Sequence, residues 1–243
     1  MLRRRSANDL VAATFDGRAF GPCVDGWFLP TDVFTIFAEG RQNDIPVIAG
    51  SNADEGTALS PWPAGGTAGT FVEQVRRRFG AFAERFLAIY PAGSDGQARA
   101  SHYASYRDQT MGWQMRTWVR LATARGRQSG YLYYYTRVPP GPASDRLGAY
   151  HAAEIPYVFD NLHVTKRPYE DVDRRLAKTM SRYWVNFTVT GNPNGPGLPV
   201  WPAYDTAKDV SLELGDQVRA RPHINKAALD FFDQHYASVR AGR

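Results

Sequence analysis

Short strand-forming runs set between long helical stretches constrain this chain most. Asp44-Ile-Pro-Val-Ile-Ala-Gly50 is an apolar run bounded by turn residues. Gly130-Tyr-Leu-Tyr-Tyr-Tyr-Thr-Arg-Val138 is rich in strand formers and is closed by Pro139 and Pro140. Both read as strands, the first of them buried. Between them Phe71, Val75, Phe79, Phe82, Phe86 and Ile89 recur at three- and four-residue steps, which predicts one amphipathic helix over 70–89. A second helix is predicted over about 97–124. Further on, Val172, Leu176, Met180, Tyr183, Trp184 and Phe187 share a helical face that stops at the turn-rich stretch from Gly191 to Gly197. Val210–Leu214 alternates as an exposed edge strand does, 224–236 reads as the last helix, and 6–13 as a short capped one. Strands separated by long helices imply an α/β layer structure, a mostly parallel sheet flanked by helices. No linker divides the chain.

The charge narrows the class of partner. The formal net charge is +5, and lysine occurs only at Lys166, Lys178, Lys208 and Lys226, so the excess is carried by arginine. No nucleic-acid motif accompanies it, and the basic runs Arg3–Arg5 and Arg76–Arg78 adjoin helical patterns, so they read as solvated helix faces. Nothing approaches the ~20 apolar residues of a membrane span, and compartment is left open. The single cysteine, Cys23, excludes an intrachain disulfide and reads as a buried or incidental thiol. No metal, flavin or nucleotide motif is present, and His102, His163, His223 and His235 lack metal-ligand spacing. Trp62, between two prolines, reads equally as a pocket wall or a packed loop.

Two loops carry residues suited to chemistry. Glu55 follows the first strand and His151 follows the second, and carboxyl-end loops of open α/β sheets are where ligands bind. A serine-hydrolase triad has a carboxylate that holds an imidazole in one tautomer while the imidazole takes the serine proton. Acid before histidine is the chain order of such enzymes on α/β-hydrolase scaffolds. On position alone, a capping or surface carboxylate and a satisfied loop histidine are the simpler readings.

The surrounding residues add to this. Val24-Asp-Gly-Trp-Phe-Leu-Pro30 and the stretch from Asp44 through Asn52-Ala-Asp-Glu-Gly56 resemble the acid segment of type-B carboxylesterases. Ala149-Tyr-His-Ala-Ala-Glu-Ile-Pro-Tyr-Val-Phe159 resembles that family's histidine segment. Trp184-Val-Asn-Phe-Thr-Val-Thr-Gly-Asn-Pro-Asn194, with Trp201-Pro-Ala-Tyr204, is similar to its C-terminal helix and exit loop. The likeness is closest to the bacterial para-nitrobenzyl esterase group, relatives of the cholinesterases. It implies the C-terminal portion of an α/β-hydrolase fold, with Glu55 as triad acid, His151 as general base and Glu154 buttressing the histidine region. The implied substrate is a small-molecule carboxylic ester, with no cofactor.

The nucleophile elbow G-x-S-x-G and the H-G-G-G oxyanion loop of such enzymes do not occur in these 243 residues. In the family both lie in the N-terminal half, so the chain reads as the C-terminal half of the esterase domain: a truncated gene, a fragment, or one subunit of a split enzyme with the N-terminal half as partner. Alone it is expected to be inactive and to expose a sheet edge. The other reading is a non-catalytic, cholinesterase-like binding protein on the same scaffold.

Overall fold

Val47 and Ile48 open one strand and a run of tyrosines fills the next, because β-branched and aromatic side chains suit a pleated backbone. The computed structural model, which describes residues 4–13 and 21–242, forms β1 (Val47–Asn52), β2 (Gly130–Tyr135), β3 (Val210–Leu214) and β4 (Val218–Pro222). Their order in the sheet is β1-β2-β3-β4. β1 and β2 run parallel with Asn52 opposite Tyr135, β2 and β3 run parallel, and β4 returns antiparallel to β3. The sheet is therefore mostly parallel, and among the described residues no strand pairs with the outer edge of β1.

The chain divides into two compact units, Met1–Arg41 and Gln42–Arg243. The first holds α1 (Ala7–Ala12), capped by the Ser6 hydroxyl, and α2 (Val33–Ala38), capped by the Asp32 carboxylate. Of the basic run at its start, Arg3 lies outside the described residues; Arg4 and Arg5 are exposed. Cys23 is an exposed free thiol, not a buried one.

The second unit holds the sheet and its helices: α3 (Glu55–Leu59), α4 (Ala68–Phe79), α5 (Ala83–Ile89), α6 (Asp95–Arg107), α7 (Trp113–Arg125), α8 (Ser144–Leu147), α9 (Ile155–Val158), α10 (Asp171–Thr190) and α11 (Lys226–Ala241). Side chains alternate across the sheet. Tyr131 and Tyr135 enter the core formed by Leu176, Met180 and Tyr183 of α10 with Trp201. Val47, Ala49 and Leu132 point the other way, onto Val119 of α7. A second core joins Phe71, Val75, Phe79 and Phe86 to Phe231 and Phe232 of α11. Each fully buried phenylalanine there contributes about 1.5–3 kcal/mol. Trp62 belongs to this cluster: its ring packs on Phe71 and His102, and its indole N–H donates to the Gly66 carbonyl, so it is a packed loop residue. Among the described residues no helix is long and apolar enough to cross a membrane.

Three expectations are corrected. The helix predicted over 70–89 is broken at Gly80, whose φ of +53° is a left-handed backbone that other residues avoid. The turn there lets Phe79 and Phe86 stack with ring centroids 4.5 Å apart. The helix predicted over 97–124 is split into α6 and α7 by a π-helical turn, Asp108–Gly112, which widens the spiral. Asp108 is buried there and receives hydrogen bonds from Tyr90, Arg107 and Asn225. β3 is not an edge strand: it lies between β2 and β4, and four of its five residues are buried. Its alternation misled because Glu213 is buried yet neutralised, by Arg219 at 2.8 Å and Arg221 at 3.0 Å on the true edge strand β4.

Candidate active site

β1 and β2 are parallel neighbours, so the segments leaving their carboxyl ends emerge on the same side of the sheet. Glu55 follows β1 by three positions, but as the first residue of α3 instead of a loop residue. His151 follows β2 after α8, in a turn whose next residue, Ala152, has a φ of +69°. A non-glycine residue there is uncommon and strained, so the histidine turn is held by its surroundings.

Those surroundings are the acid segment. The Asp54 N–H donates to the Ala149 carbonyl at 3.0 Å, and the Ala149 N–H returns to the Asp54 carboxylate at 2.8 Å. The Thr57 hydroxyl donates to the Leu147 carbonyl at 2.7 Å. Asp54, next to the predicted acid, therefore leaves its own helix uncapped and binds the histidine loop. Gly148 makes this approach possible: its φ is +63°, and a β-carbon there would collide with the Asp54 carboxylate. Gly148→Ala is expected to destabilise the protein by about 1–3 kcal/mol through backbone strain and to loosen the histidine loop. Urea unfolding of parent and variant checks the first effect.

The two predicted residues meet. His151 Nδ1 lies 2.7 Å from Glu55 Oε2. The other carboxylate oxygen accepts the Asn52 N–H at 2.8 Å. Glu55 is 4% exposed, whereas the His151 side chain is 43% exposed. Burial pushes the Glu55 carboxyl above its ordinary value of 4.5; the Asn52 N–H and His151 oppose this, and the nearby Glu154 charge adds to it. An ionised carboxylate only accepts, so the contact assigns the imidazole proton to Nδ1 and leaves the Nε2 lone pair free. Nε2 has no hydrogen-bond partner among the described residues. Such an imidazole can take a proton from a hydroxyl and pass it to a leaving group.

Glu154 touches the histidine region through Asn52. It pairs neither with the imidazole nor with a basic neighbour; its carboxylate accepts the Asn52 side-chain amide at 2.5 Å. Asn52 and Asp54 carry no signal of a part in the site from the sequence alone. Their backbone and side-chain contacts cross between segments about a hundred positions apart, as in the Asn52–Glu154 bond, which no local pattern signals.

Among the described residues a serine–histidine contact occurs away from this pair. Ser60 Oγ lies 3.0 Å from His102 Nε2, but the same nitrogen is 2.9 Å from the Ser60 carbonyl oxygen. A carbonyl only accepts, so that nitrogen carries the proton and has no lone pair with which to activate the hydroxyl.

Comparison with known proteins places the geometry in context. Residues 1–232 match the family described as the carboxylesterase family. Fumonisin B1 esterase of Sphingopyxis macrogoltabida is 31% identical over 212 residues, covering 83% of this chain and 38% of that protein. Carboxylesterase 5A of Canis lupus familiaris is 27% identical over 247 residues, covering 90% of this chain and 42% of that protein. Para-nitrobenzyl esterase of Bacillus subtilis (strain 168) is 27% identical over 208 residues, covering 82% of this chain and 40% of that protein. The chain spans about two fifths of the length of these curated relatives.

Proposed function

Because this chain belongs to the carboxylesterase family, whose fold is the α/β hydrolase, we propose that it supplies the acid and the base of a serine-dependent carboxylic-ester hydrolase. Glu55 is the acid and His151 the base. The serine comes from outside these residues, which contain no G-x-S-x-G elbow. The edge of β1 that no described strand covers is where further strands of the same sheet would add. The observation that carries the reading is the 2.7 Å contact of His151 Nδ1 with the buried Glu55 carboxylate, which leaves Nε2 without a partner among the described residues on a side chain that is itself 43% exposed.

In this reading Nε2 removes the proton from the serine oxygen as that oxygen attacks the ester carbonyl. It then returns the proton to the departing alcohol, and water repeats the sequence on the acyl-serine. Glu55 stabilises the imidazolium that forms between these steps. The substrate is a small carboxylic ester; one relative, fumonisin B1 esterase, carries an ester substrate in its name.

The test is to supply the serine. Hydrolysis of p-nitrophenyl acetate is measured for this chain alone, for the chain mixed with or fused to a carboxylesterase segment bearing G-x-S-x-G and H-G-G-G, and for the same pairs carrying His151→Ala. Turnover that needs both parts and disappears with His151→Ala is the expected result. Turnover by the joined parts that survives His151→Ala, or sustained turnover by this chain alone, overturns the assignment.

A further inference from the structure

Asn52 closes β1 and is 1% exposed. Three bonds leave it, and all three run to the proposed dyad or its supports. Its backbone N–H donates to Glu55 Oε1 at 2.8 Å. Its side-chain Nδ2 donates one hydrogen to the Tyr150 carbonyl at 2.8 Å and the other to Glu154 Oε2 at 2.5 Å. Tyr150 is the residue immediately before His151, so the first of these side-chain bonds grips the peptide unit from which the imidazole hangs.

The chemistry of the site requires a double donor at this place. Both acceptors, a carbonyl and a carboxylate, lie on one side of the side chain, and only the NH2 of an amide serves two acceptors from one atom in so short a side chain. Aspartate has the same shape and no donor; it would set a third carboxylate beside Glu55 and Glu154. An aliphatic side chain would leave the Tyr150 carbonyl and the Glu154 carboxylate without this donor. The amide oxygen bears the consequence: Asn52 Oδ1 is buried with no partner among the described residues. The amide is thus turned to satisfy the histidine side at the expense of its own acceptor. A buried polar group left in that state points to a function of the residue beyond packing.

Resting on the ester-hydrolase reading, we infer that Asn52 is a positioning residue of the catalytic dyad. It ties the strand end that holds Glu55 to the peptide that carries His151, and so keeps the Nδ1 proton on the Glu55 side. Glu154 works through it, as the anchor that turns the Asn52 amide toward Tyr150.

The tautomer of His151 reports this directly in the 243-residue chain, with no substrate needed. Nitrogen-15 NMR of the imidazole at neutral pH, assigned by His151→Ala, is expected to show one tautomer, protonated at Nδ1, with a downfield, exchange-protected Nδ1 proton. In Asn52→Asp, which keeps the volume and removes both donors, that proton signal is lost and the ring nitrogens average between tautomers. The double variant Asn52→Asp with Glu154→Gln restores a 52–154 bond with reversed polarity and removes the added repulsion, yet gives Tyr150 no donor. It is expected to fold with the parent's circular dichroism and still lack the Nδ1 signal. Glu154→Gln alone, which keeps an acceptor for Asn52, is expected to retain it. A folded double variant with the parent's single tautomer overturns the role of Asn52. A parent whose Nδ1 signal is unchanged by Glu55→Gln overturns the dyad itself, so the two failures are distinct.

Discussion

Glu55→Gln is expected to lower kcat about 10,000-fold when the chain is joined to its serine, with KM little changed. Glutamine fills the same space, but only one of its two terminal atoms accepts. The fixed Asn52 N–H, 2.8 Å from Glu55 Oε1, claims that oxygen. The NH2 group then faces His151 Nδ1 and forces it to accept, moving the imidazole proton to Nε2, where no lone pair remains for the serine. The same variant acts on stability with the opposite sign. Burial holds the Glu55 carboxyl above its ordinary 4.5, so the stabilising state of this group is the protonated one. Its contribution is fully present below 4.5 and is lost as pH climbs through the raised value. Glutamine has no charge to desolvate. Glu55→Gln is therefore expected to melt above the parent at pH 8, with the gap closing toward pH 4. Initial rates on p-nitrophenyl acetate and melting curves at the two pH values check both arms; a variant that is active, or less stable at pH 8, contradicts the account. Activity and stability diverge here because an ionised carboxylate in a dry setting is held for its chemistry.

Arg116→Leu is expected to destabilise the fold by about 3–5 kcal/mol, the cost of removing one partner from a buried ion pair. Arg116 on α7 meets Asp209 at 2.9 Å, and their side chains are 8% and 6% exposed. The same guanidinium reaches Asp230 at 3.0 Å and Asp233 at 3.4 Å on α11. Asp233 keeps Arg120 at 2.8 Å and Asp230 keeps Lys226 when Arg116 is lost. Asp209, just before β3, loses its arginine and is left with the Tyr204 hydroxyl at 2.9 Å and the more distant His223 ring at 4.0 Å. Adding Asp209→Leu to Arg116→Leu should accordingly recover much of the loss, since two apolar residues leave no stranded charge. Urea denaturation of the single and double variants measures both steps. If the double variant is no more stable than the single one, the loss lies in packing and not in the orphaned carboxylate.

Much of the fold was legible because it rests on local periodicity. The apolar run ending at Gly50, the tyrosine run from Tyr131 and the face from Val172 to Phe187 all appear as the elements they predicted. The misses share one cause, a contact made only once the chain has turned back on itself. Glu213 reads as solvent-facing until Arg219 and Arg221 are seen beside it. The break at Gly80 follows from the stacking it permits against Phe86, not from the apolar spacing, which continues through it.

Sequence alone determined the alternation of strands and amphipathic helices, the absence of a G-x-S-x-G elbow, and Glu55 and His151 as the residues to watch. The first two follow from residue order and side-chain period, which the chain carries before it folds; the choice of Glu55 and His151 rests on the resemblance of the segments around them. Only the tertiary structure decided that the two meet at 2.7 Å, that Asp54 and Gly148 bind their segments together, and that Glu154 reaches the site through Asn52. Hydrogen bonds between parallel-strand ends depend on register and on the path of the intervening helices, and both exist only once the sheet is built.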